Sequence, residues 1–337
     1  MKILYAIQGT GNGHLSRARD VIPALQNKGE LDLLVSGIQA DVALPYPVKY
    51  RYKGLSFIFG KSGGVDLYQT FAKAKSRRFV NEIRSLPVHE YDLILNDFEP
   101  VSAWACRLRS KPCIGISHQS AVLSAKAPQP KRVDWMGKMV LLNYAPVTAS
   151  YGFHFGAYDS SIFTPVIRRQ IRELPVSDEG HYSVYLPSYD DERLVETLSR
   201  VGDAQWQVFS KHNKEPRRVG NVALQPVNND AFIRSLASCR GILCGAGFET
   251  PAEALYLRKK LLVVPMKNQF EQYCNAAALK SMGVPVIKNL KEKHVFTIRE
   301  WVQSGQPVPV DYPDQTEEII DRVIAAHAGA RKQEAER

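Results

Sequence analysis

Short apolar runs alternate with stretches of helical periodicity along almost the whole chain. The helical stretch near 15–27 repeats apolar residues at Leu15, Ala18, Ile22 and Leu25, which gives it one apolar side. The strand-like runs of the first half are Lys2–Ile7, Leu31–Val35, part of Lys49–Phe59, Tyr91–Leu95 and Pro112–Ile116. Alternation of this kind is typical of parallel sheets whose strands are joined by helices. It predicts an α/β fold.

The alternation fails once, between about 145 and 180, where prolines and glycines are frequent, and then resumes. From Tyr182 to Ile287 strand-like and helix-like segments alternate again, and a last helix is predicted near 315–328. We therefore expect two α/β domains, one over residues 1–155 and one over residues 156–312. The helix within 313–330 follows them and is a candidate to pack back on the N-terminal domain.

The composition is that of a globular protein, with 45% hydrophobic and 23% charged residues among 337. Its five cysteines are odd in number, widely spaced and without a C-x-x-C pair, so neither a disulfide framework nor a zinc site is indicated. The first apolar run is too short for a signal peptide, and no stretch approaches the ~18 apolar residues of a membrane span. The sequence predicts a cytoplasmic protein, at most peripheral at the inner face of the membrane.

Most of the net charge of +10 lies in residues 49–84, which hold nine basic and two acidic residues. The same segment contains the apolar residues Leu55, Phe57, Ile58 and Phe59. A basic surface beside apolar side chains suits an anionic membrane surface or a phosphorylated acceptor. A solvated basic helix face without a partner explains the charge equally well, so both interpretations stay open.

A glycine-rich loop follows the first predicted strand and reads Gln8-Gly9-Thr10-Gly11-Asn12-Gly13-His14. Glycines at alternate positions allow a tight turn and a close approach of the backbone to a ligand at the positive end of the next helix. The dinucleotide fingerprint G-x-G-x-x-G would need glycine at position 14, and the second strand ends without the carboxylate that holds an adenosine ribose. The loop therefore argues against a dehydrogenase.

His14 ends this loop at a strand-to-helix turn, where ligands bind in open α/β sheets. Because histidine titrates near neutral pH, it suits a general base for an acceptor hydroxyl. Asp97 follows the strand Tyr91–Leu95 and is a candidate to orient the imidazole. The alternatives are that His14 only caps its helix or bonds the loop, and that Asp97 is the N-cap of the helix entered through Pro100.

The second half holds the run Gly245-Ala246-Gly247-Phe248-Glu249-Thr250-Pro251 after the apolar strand Gly241–Cys244. Glycines ahead of a helix start expose backbone N–H groups, which makes a cradle for a diphosphate. Thr250-x-x-Glu253 also has the spacing of a capping box, in which Glu253 would only satisfy its own helix start. Further on, Glu271, Gln272 and Asn275 lie near the start of another helix, where such side chains can bind several sugar hydroxyls.

The segment from Gly241 to Gly283 resembles the donor-binding segment of the nucleotide-sugar glycosyltransferase superfamily, which includes the peptidoglycan N-acetylglucosaminyltransferase and related UDP-glycosyltransferases. The loop ending in His14 resembles their first loop. The resemblance implies the GT-B fold, in which two Rossmann-like domains with parallel sheets face an interdomain cleft. It also implies that the N-terminal domain binds the acceptor and the C-terminal domain binds the nucleotide sugar.

The resemblance also assigns roles to single residues. It implies that the diphosphate lies at the glycine-rich helix start, that Glu253 holds the nucleoside ribose, and that His14 is the base or an acceptor contact. The donor-binding residues implied in this chain are Gly245, Gly247, Phe248, Glu249, Thr250, Glu253, Glu271, Gln272 and Asn275. The candidates for acceptor or cleft contact are Gly11, Asn12, Gly13, Arg17 and His118.

Two departures from the family pattern limit what the resemblance implies. Many relatives have proline three residues after the histidine, where this chain has Arg17, which either binds an anionic acceptor or marks a different branch. The glutamine pair of the peptidoglycan enzyme is replaced by Glu271-Gln272, so N-acetylglucosamine is not supported as the donor sugar.

We therefore expect a hexosyltransferase that moves a sugar, with inversion, from a nucleoside-diphosphate donor to an acceptor hydroxyl, with a UDP-sugar as the expected donor. The sequence has no D-x-D cluster in a suitable loop, so we expect neither a metal nor a cofactor, the nucleotide sugar being a substrate. No nucleic-acid partner is expected. The alternatives are a nucleotide-sugar 2-epimerase of the same fold and a non-catalytic nucleotide-binding protein.

Overall fold

The chain forms two compact units, each built on its own sheet. The computed structural model describes residues 1–10, 12–37, 44–55, 58–59, 65–66, 77–131 and 134–328. The first unit consists of Met1–Ala127, Val133–Arg168 and Pro313–Arg337, and the second unit of Pro128–Arg132 and Arg169–Tyr312. Both sheets are mainly parallel and are flanked by helices, which confirms the predicted α/β fold.

The first unit contains a seven-stranded parallel sheet and a short antiparallel pair. Its strands are β1 (Lys2–Gln8), β2 (Glu30–Ser36), β3 (Tyr50–Tyr52), β4 (Ile58–Phe59), β5 (Val65–Asp66), β6 (Leu93–Asp97), β7 (Ile114–Ser117), β8 (Ala149–Phe153) and β9 (Ile162–Phe163). The order in the main sheet is β3-β2-β1-β6-β7-β8-β9, and β4 pairs with β5. The order reverses between β1 and β6, and ligands bind beyond the carboxyl ends of the strands at such a point.

The first unit also contains six of the described helices. They are α1 (Asn12–Gln26), α2 (Arg77–Ser85), α3 (Pro100–Leu108), α4 (His118–Val122), α5 (Trp135–Tyr144) and, at the far end of the chain, α12 (Thr316–His327). A 3-10 turn covers Val88–Glu90. The apolar side of α12 is buried through Ile319, Ile320 and Val323, and Lys28 just beyond α1 forms an ion pair of 2.6 Å with Asp321. The last helix is therefore part of the first unit.

The second unit contains a six-stranded sheet. Its strands are β10 (His181–Tyr185), β11 (Gln205–Ser210), β12 (Arg217–Val219), β13 (Val222–Pro226), β14 (Gly241–Gly245) and β15 (Lys260–Val264). The order is β12-β13-β11-β10-β14-β15, and every pair is parallel except β12 with β13. Here the order reverses between β10 and β14, so the loop after β14 lies at the expected ligand-binding edge.

The second unit's helices surround this sheet. They are α6 (Arg169–Arg172), α7 (Asp191–Ser199), α8 (Asn229–Ser238), α9 (Glu249–Tyr256), α10 (Phe270–Ser281) and α11 (Val295–Ser304), with a 3-10 turn at Glu292–His294. On one face of the sheet, Val184, Trp206, Val208 and Leu243 pack in a buried apolar cluster that includes Trp301 of α11. No helix in the described parts of the chain is long and apolar enough to span a bilayer.

Two details differ from the sequence-based expectation. The division between the units falls after Arg168 and not after residue 155, because the main chain beyond β8 stays on the first sheet: Gly152 N donates to Ser161 O at 2.8 Å and His154 N to Phe163 O at 2.9 Å. The strand expected at Val284–Ile287 is reduced to a single bridge between Val263 and Val286.

Candidate functional site

The carboxyl edge of the first sheet brings together His14, Arg17 and Asp97. Asp97 is the last residue of β6, and the other two lie in the first turns of α1, which follows β1. His14 Nδ1 lies 2.8 Å from Asp97 Oδ1, and Arg17 Nη2 donates to both carboxylate oxygens at 2.8 and 2.9 Å. The three side chains therefore form one charged cluster at the point where the strand order reverses.

The charge of Asp97 decides which nitrogen of His14 can act. Asp97 is fully buried, and burial alone would raise its pKa, but the charge of the Arg17 guanidinium and the hydrogen bonds from His14 and Arg17 hold that pKa below its ordinary value. An ionised carboxylate can only accept a hydrogen bond, so Nδ1 of His14 carries the proton and donates it to Asp97. Nε2 keeps its lone pair. Because the imidazole is 13% exposed, it has the tautomer and the accessibility of a general base.

Arg17 is an internal residue of this cluster. Its side chain is 2% exposed, its guanidinium bonds Asp97, and its Cζ lies 5.6 Å from the centre of the Phe153 ring. The predicted contact of Arg17 with an anionic acceptor would require a guanidinium at a reachable surface. The structure instead places its charge against the carboxylate that orients His14.

The alternative that Asp97 is an N-cap is wrong, because the cap of α3 is Glu99. Glu99 accepts from the backbone N–H groups of Val101 at 2.7 Å and Ser102 at 2.6 Å, and from the hydroxyl of Ser36 at 2.6 Å. Burial raises the pKa of the Glu99 carboxyl, although these hydrogen bonds oppose the rise. Since Glu99 satisfies the helix start, Asp97 is left for His14 and Arg17.

Phe98 and Tyr144 also belong to this site and were not predicted. Phe98 has φ of +55°, a left-handed conformation that is strained for a bulky residue and costs on the order of 1–3 kcal/mol. The Phe98 ring stacks on His14 with centroids 6.4 Å apart and on Tyr144 at 4.8 Å. The Tyr144 hydroxyl is hydrogen-bonded to Gln8 and to the carbonyl of Leu55. The ring of Phe98 therefore lies nearly parallel to the imidazole of His14.

The other predicted acceptor contacts have different placements. Asn12 and Gly13 are the first two residues of α1 and are partly exposed, while Gly11 lies outside the described residues. His118 is buried at the start of α4, and its Nδ1 donates to the carbonyl of Phe153 at 2.8 Å. A buried ring bonded to the backbone of β8 is typical of a structural histidine, so the structure does not bring His118 into the His14 cluster.

The second candidate site lies after β14, where Gly245, Ala246 and Gly247 lead into α9. A Cβ atom built on Gly247 would meet no described heavy atom within 4 Å, so the backbone there borders open space. Phe248 is the N-cap of α9, and its apolar side chain forms no capping hydrogen bond. N–H groups in the first turn of a helix have no partner within the helix and attract anions. The partly exposed Glu249 and Thr250 are the first two residues of this turn.

The capping-box alternative for Thr250 and Glu253 is wrong. Because α9 begins at Glu249, Thr250 lies inside the helix and not at its N-cap. Glu253 is one turn further along and is 2% exposed. A buried carboxylate in a helix interior is uncommon, and capping does not explain this one.

Two amide side chains of α10 hold the loops that follow β14 and β15. Gln272 Oε1 accepts from Met266 N at 2.8 Å, and Asn275 Nδ2 donates to the carbonyl of Ala246 at 3.1 Å. Both side chains are buried, whereas Glu271 is partly exposed. The predicted donor residues of α9 and α10 are thus brought together around two adjacent strand ends. Gln272 and Asn275 act on the loop backbone there.

No cluster of three or more His, Cys, Asp or Glu side chains that could hold a metal ion occurs among the residues the structure describes. The charged cluster of the first unit contains one histidine and one carboxylate, together with a guanidinium that cannot ligate a metal. A histidine hydrogen-bonded to a carboxylate suits proton transfer.

Comparison with known proteins gives a family and a set of similar folds. The model of the family described as Glycosyl transferase family 1 matches residues 1–304. UGT2 of Phytolacca americana, solved with UDP-2-fluoro-glucose and pterostilbene, is 15% identical with a TM-score of 0.60, over 96% of this chain and 98% of that one.

The other comparisons agree on the fold. The spinosyn forosaminyltransferase SpnP is 14% identical with a TM-score of 0.55, over 97% of this chain and 95% of that one. MurG of Acinetobacter baumannii is 14% identical with a TM-score of 0.53, over 96% and 99%. No curated protein matches the sequence. The matches to solved structures confirm the GT-B architecture that the resemblance implied.

Proposed function

The chain belongs to glycosyl transferase family 1, and from that premise we propose that it transfers a hexose from a nucleoside-diphosphate donor to an acceptor hydroxyl, with inversion and without a bound metal. The observation that carries the proposal is the open space beside Gly247, where the chain enters α9. A diphosphate is the part that every such donor shares, and this helix start offers it backbone N–H groups and the positive end of the helix dipole.

We assign the donor to the second unit. Gly245, Gly247 and the first turn of α9, with Phe248, Glu249 and Thr250, would surround the phosphates. Buried Glu253 would accept hydrogen bonds from the ribose hydroxyls, since a carboxylate is an acceptor only. Glu271 would contact the sugar, while Gln272 and Asn275 would hold the two loops in place through Met266 and Ala246. UDP is the nucleotide we favour, because UGT2 was solved with UDP-2-fluoro-glucose.

We assign proton transfer to the first unit. Nε2 of His14 would take the proton of the attacking acceptor hydroxyl, and Asp97 would stabilise the imidazolium that forms. Attack on the anomeric carbon from the side opposite the diphosphate would invert that centre. The leaving diphosphate would be stabilised by the N–H groups at the start of α9. Neither a cofactor nor a metal is needed for these steps, so EDTA should leave the rate unchanged.

Donor identity can be tested by thermal shift. UDP, GDP and TDP and their sugars are each added to the full chain, because a ligand that binds only the folded state raises the melting temperature. We expect UDP and UDP-hexoses to give the largest rise. If no nucleoside diphosphate changes the melting temperature at millimolar concentration, the donor assignment fails.

Turnover distinguishes the alternatives that share this fold. Conversion of a nucleotide sugar without any acceptor, detected by NMR of the sugar ring protons, would identify a 2-epimerase. Tight nucleotide binding with neither transfer nor donor hydrolysis would identify a non-catalytic binding protein. A transferase should release UDP only when an acceptor is present, and the anomeric proton coupling of its product should report inversion.

We also propose that residues 49–84 contact an anionic membrane surface. Lys61, Lys73 and Lys75 lie outside the described residues, and Lys49 forms an ion pair of 2.6 Å with Asp32. The support for this proposal is the concentration of basic residues in the sequence. The ion pair with Asp32 neutralises part of that charge within the first unit. Sedimentation with phosphatidylserine vesicles at low and high salt tests the idea. Failure to sediment at low salt would leave a solvated basic face as the explanation.

A further inference from the structure

A basic groove lies at the amino-terminal edge of the second sheet. It has a volume of about 670 Å³, and its lining includes Tyr182 near the start of β10, Arg240 before β14, Arg258 and Lys259 before β15, and Lys260 at the start of β15. Two carboxylates, Asp178 and Asp203, also line it, so four cations face two anions. Val302 of α11 closes one side. Every lining residue belongs to the second unit. The volume is within the range of small-molecule sites.

This groove is separate from the donor loops. The loops after β14 and β15 leave the carboxyl ends of the strands, whereas the groove lies at the opposite ends. Lys260 and Val264 are the first and last residues of β15, four positions apart, which at a rise of ~3.3 Å per residue is about 13 Å. A ligand in the groove would therefore not occupy the proposed diphosphate site.

The positive charges of the groove are only partly neutralised. Arg240 Nε bonds both oxygens of Asp178 at 3.1 and 3.2 Å. The lysines bond neutral carbonyls instead: Lys259 Nζ donates to Ser177 O at 2.7 Å and Lys260 Nζ to Val302 O at 3.1 Å. In the described residues neither ammonium has a carboxylate within ion-pair distance.

Lys259 and Arg258 are both held in unfavourable settings. Lys259 is only 4% exposed, and burial lowers the pKa of its ammonium. Arg258 adopts φ of +54° just beyond α9, a position that strongly favours glycine. Two cations kept where a neutral residue or a glycine would be more stable point to a ligand that uses their charge.

We propose that this groove binds a small molecule through a dianionic phosphate group, with Lys259, Lys260 and Arg258 as its cationic partners. Two lysine charges without carboxylates match the double charge of a phosphate group, and lysine binds phosphate as a point charge. The groove is larger than a free phosphate ion, which leaves room for the rest of a phosphorylated metabolite.

A simpler structural role makes a different prediction. Cations beyond the C-terminus of α9 stabilise its dipole whether or not an anion is present. In that case Lys259→Met with Lys260→Met would lower the melting temperature without changing any phosphate affinity. Methionine keeps most of the buried side-chain volume, so the substitution mainly removes charge.

The test measures phosphate binding to the full chain by calorimetry, with inorganic phosphate and glycerol 3-phosphate as probes in chloride of matched ionic strength. We expect the K259M/K260M double variant to bind both at least tenfold more weakly, and Lys280→Met, an exposed lysine of α10, to bind them normally. Tighter binding of glycerol 3-phosphate than of phosphate would support a metabolite as the ligand. Equal binding by the wild type and the double variant would overturn the proposal.

A further variant and a competition keep the test decisive. Arg258→Gly relieves the left-handed conformation and should fold even if the double variant does not; we expect it to weaken phosphate binding about threefold or more. The titrations are repeated with saturating UDP, which should occupy the proposed donor loop and leave phosphate binding to the groove unchanged. If UDP abolishes phosphate binding while Arg258→Gly retains it, phosphate binds at the donor loop and the groove has no such role.

Discussion

His14 Nδ1 and Asp97 Oδ1 meet at 2.8 Å although 83 residues separate them in the chain. The contact exists because β1 and β6 are neighbours in the sheet, with Ile7 opposite Asp97 in the register, so both strands deliver their next residues to one edge. The pairing fixes the tautomer of the imidazole, and it places the imidazole where the strand order reverses.

Replacing His14 with alanine tests whether the imidazole moves a proton. We expect transfer to fall by ~10²–10⁴-fold, the usual contribution of general acid–base catalysis. Binding of the nucleoside diphosphate should not change, because we assign the donor to the second unit. His89→Ala, an exposed histidine of the same unit, is the control. Equal losses of binding and transfer in His14→Ala would argue against a base.

Asp97→Asn removes a buried charge without changing the shape of the side chain, and its effect on the free energy of unfolding should depend on pH. The pKa of Asp97 is lowered in the folded state, so its carboxylate stabilises the fold above the unfolded pKa of ~3.9. That contribution is lost as pH falls through the folded value. We expect the variant to be less stable than the wild type by about 3–5 kcal/mol at pH 7, since Arg17 is left without its counter-charge.

Urea unfolding from pH 7 to pH 3 measures this dependence. The difference in unfolding free energy between the wild type and Asp97→Asn should be constant above about pH 5 and shrink below about pH 4. Asp311→Asn, an exposed carboxylate, should show neither effect. A difference independent of pH would mean that Asp97 is not ionised in the folded protein.

The sequence predicted the parallel α/β fold and the pairing of His14 with Asp97 because both follow from local pattern. Apolar runs mark buried strands, and residues just after parallel strands reach one edge. The strands at Ala149–Phe153 and Ile162–Phe163 were missed, since they lie among glycines and prolines and their pairing is decided by the neighbouring strand. Tertiary contact overrode local propensity there.

The roles of Arg17 and Glu99 could not be predicted from spacing. Asp97 and Glu99 both precede Pro100, and either could cap α3; the hydroxyl of Ser36, far away in the chain, helps to bind Glu99. Arg17 is three residues after His14, so a helix pattern puts it on the same side, but its burial depends on the ring of Phe153. Non-local packing decided both roles.

Glu253→Gln tests the proposed ribose contact without changing side-chain size. A charged hydrogen-bond acceptor contributes about 1.5–3 kcal/mol, so we expect nucleotide affinity to fall by ~10–150-fold. Nucleotide affinity should fall far more than the melting temperature does, because Glu253 does not cap α9. Glu300→Gln, an exposed residue of α11, serves as the control in both measurements. A large fall in melting temperature with unchanged affinity would make Glu253 a structural residue.

Gly241 is the first residue of β14, and Gly247 lies two residues beyond the end of that strand. Substitution by alanine gives opposite predictions at these two positions. A Cβ on Gly241 would lie 2.8 Å from both Cβ and the carbonyl oxygen of Lys260, whereas a Cβ on Gly247 would meet no described heavy atom within 4 Å. Gly241→Ala should therefore destabilise the chain by about 1–3 kcal/mol through overpacking. Gly247→Ala should keep or slightly raise stability, because alanine restricts the unfolded chain.

Nucleotide binding should be weakened in Gly247→Ala, the stable variant, and retained in Gly241→Ala, the destabilised one. The methyl group of Gly247→Ala would occupy the space that we assign to the diphosphate, so its affinity for UDP should fall at least tenfold. Gly241→Ala lies at the far end of β14 and, measured at a temperature where it remains folded, should bind UDP as the wild type does. If Gly247→Ala binds UDP normally, close approach of phosphate to this backbone does not occur.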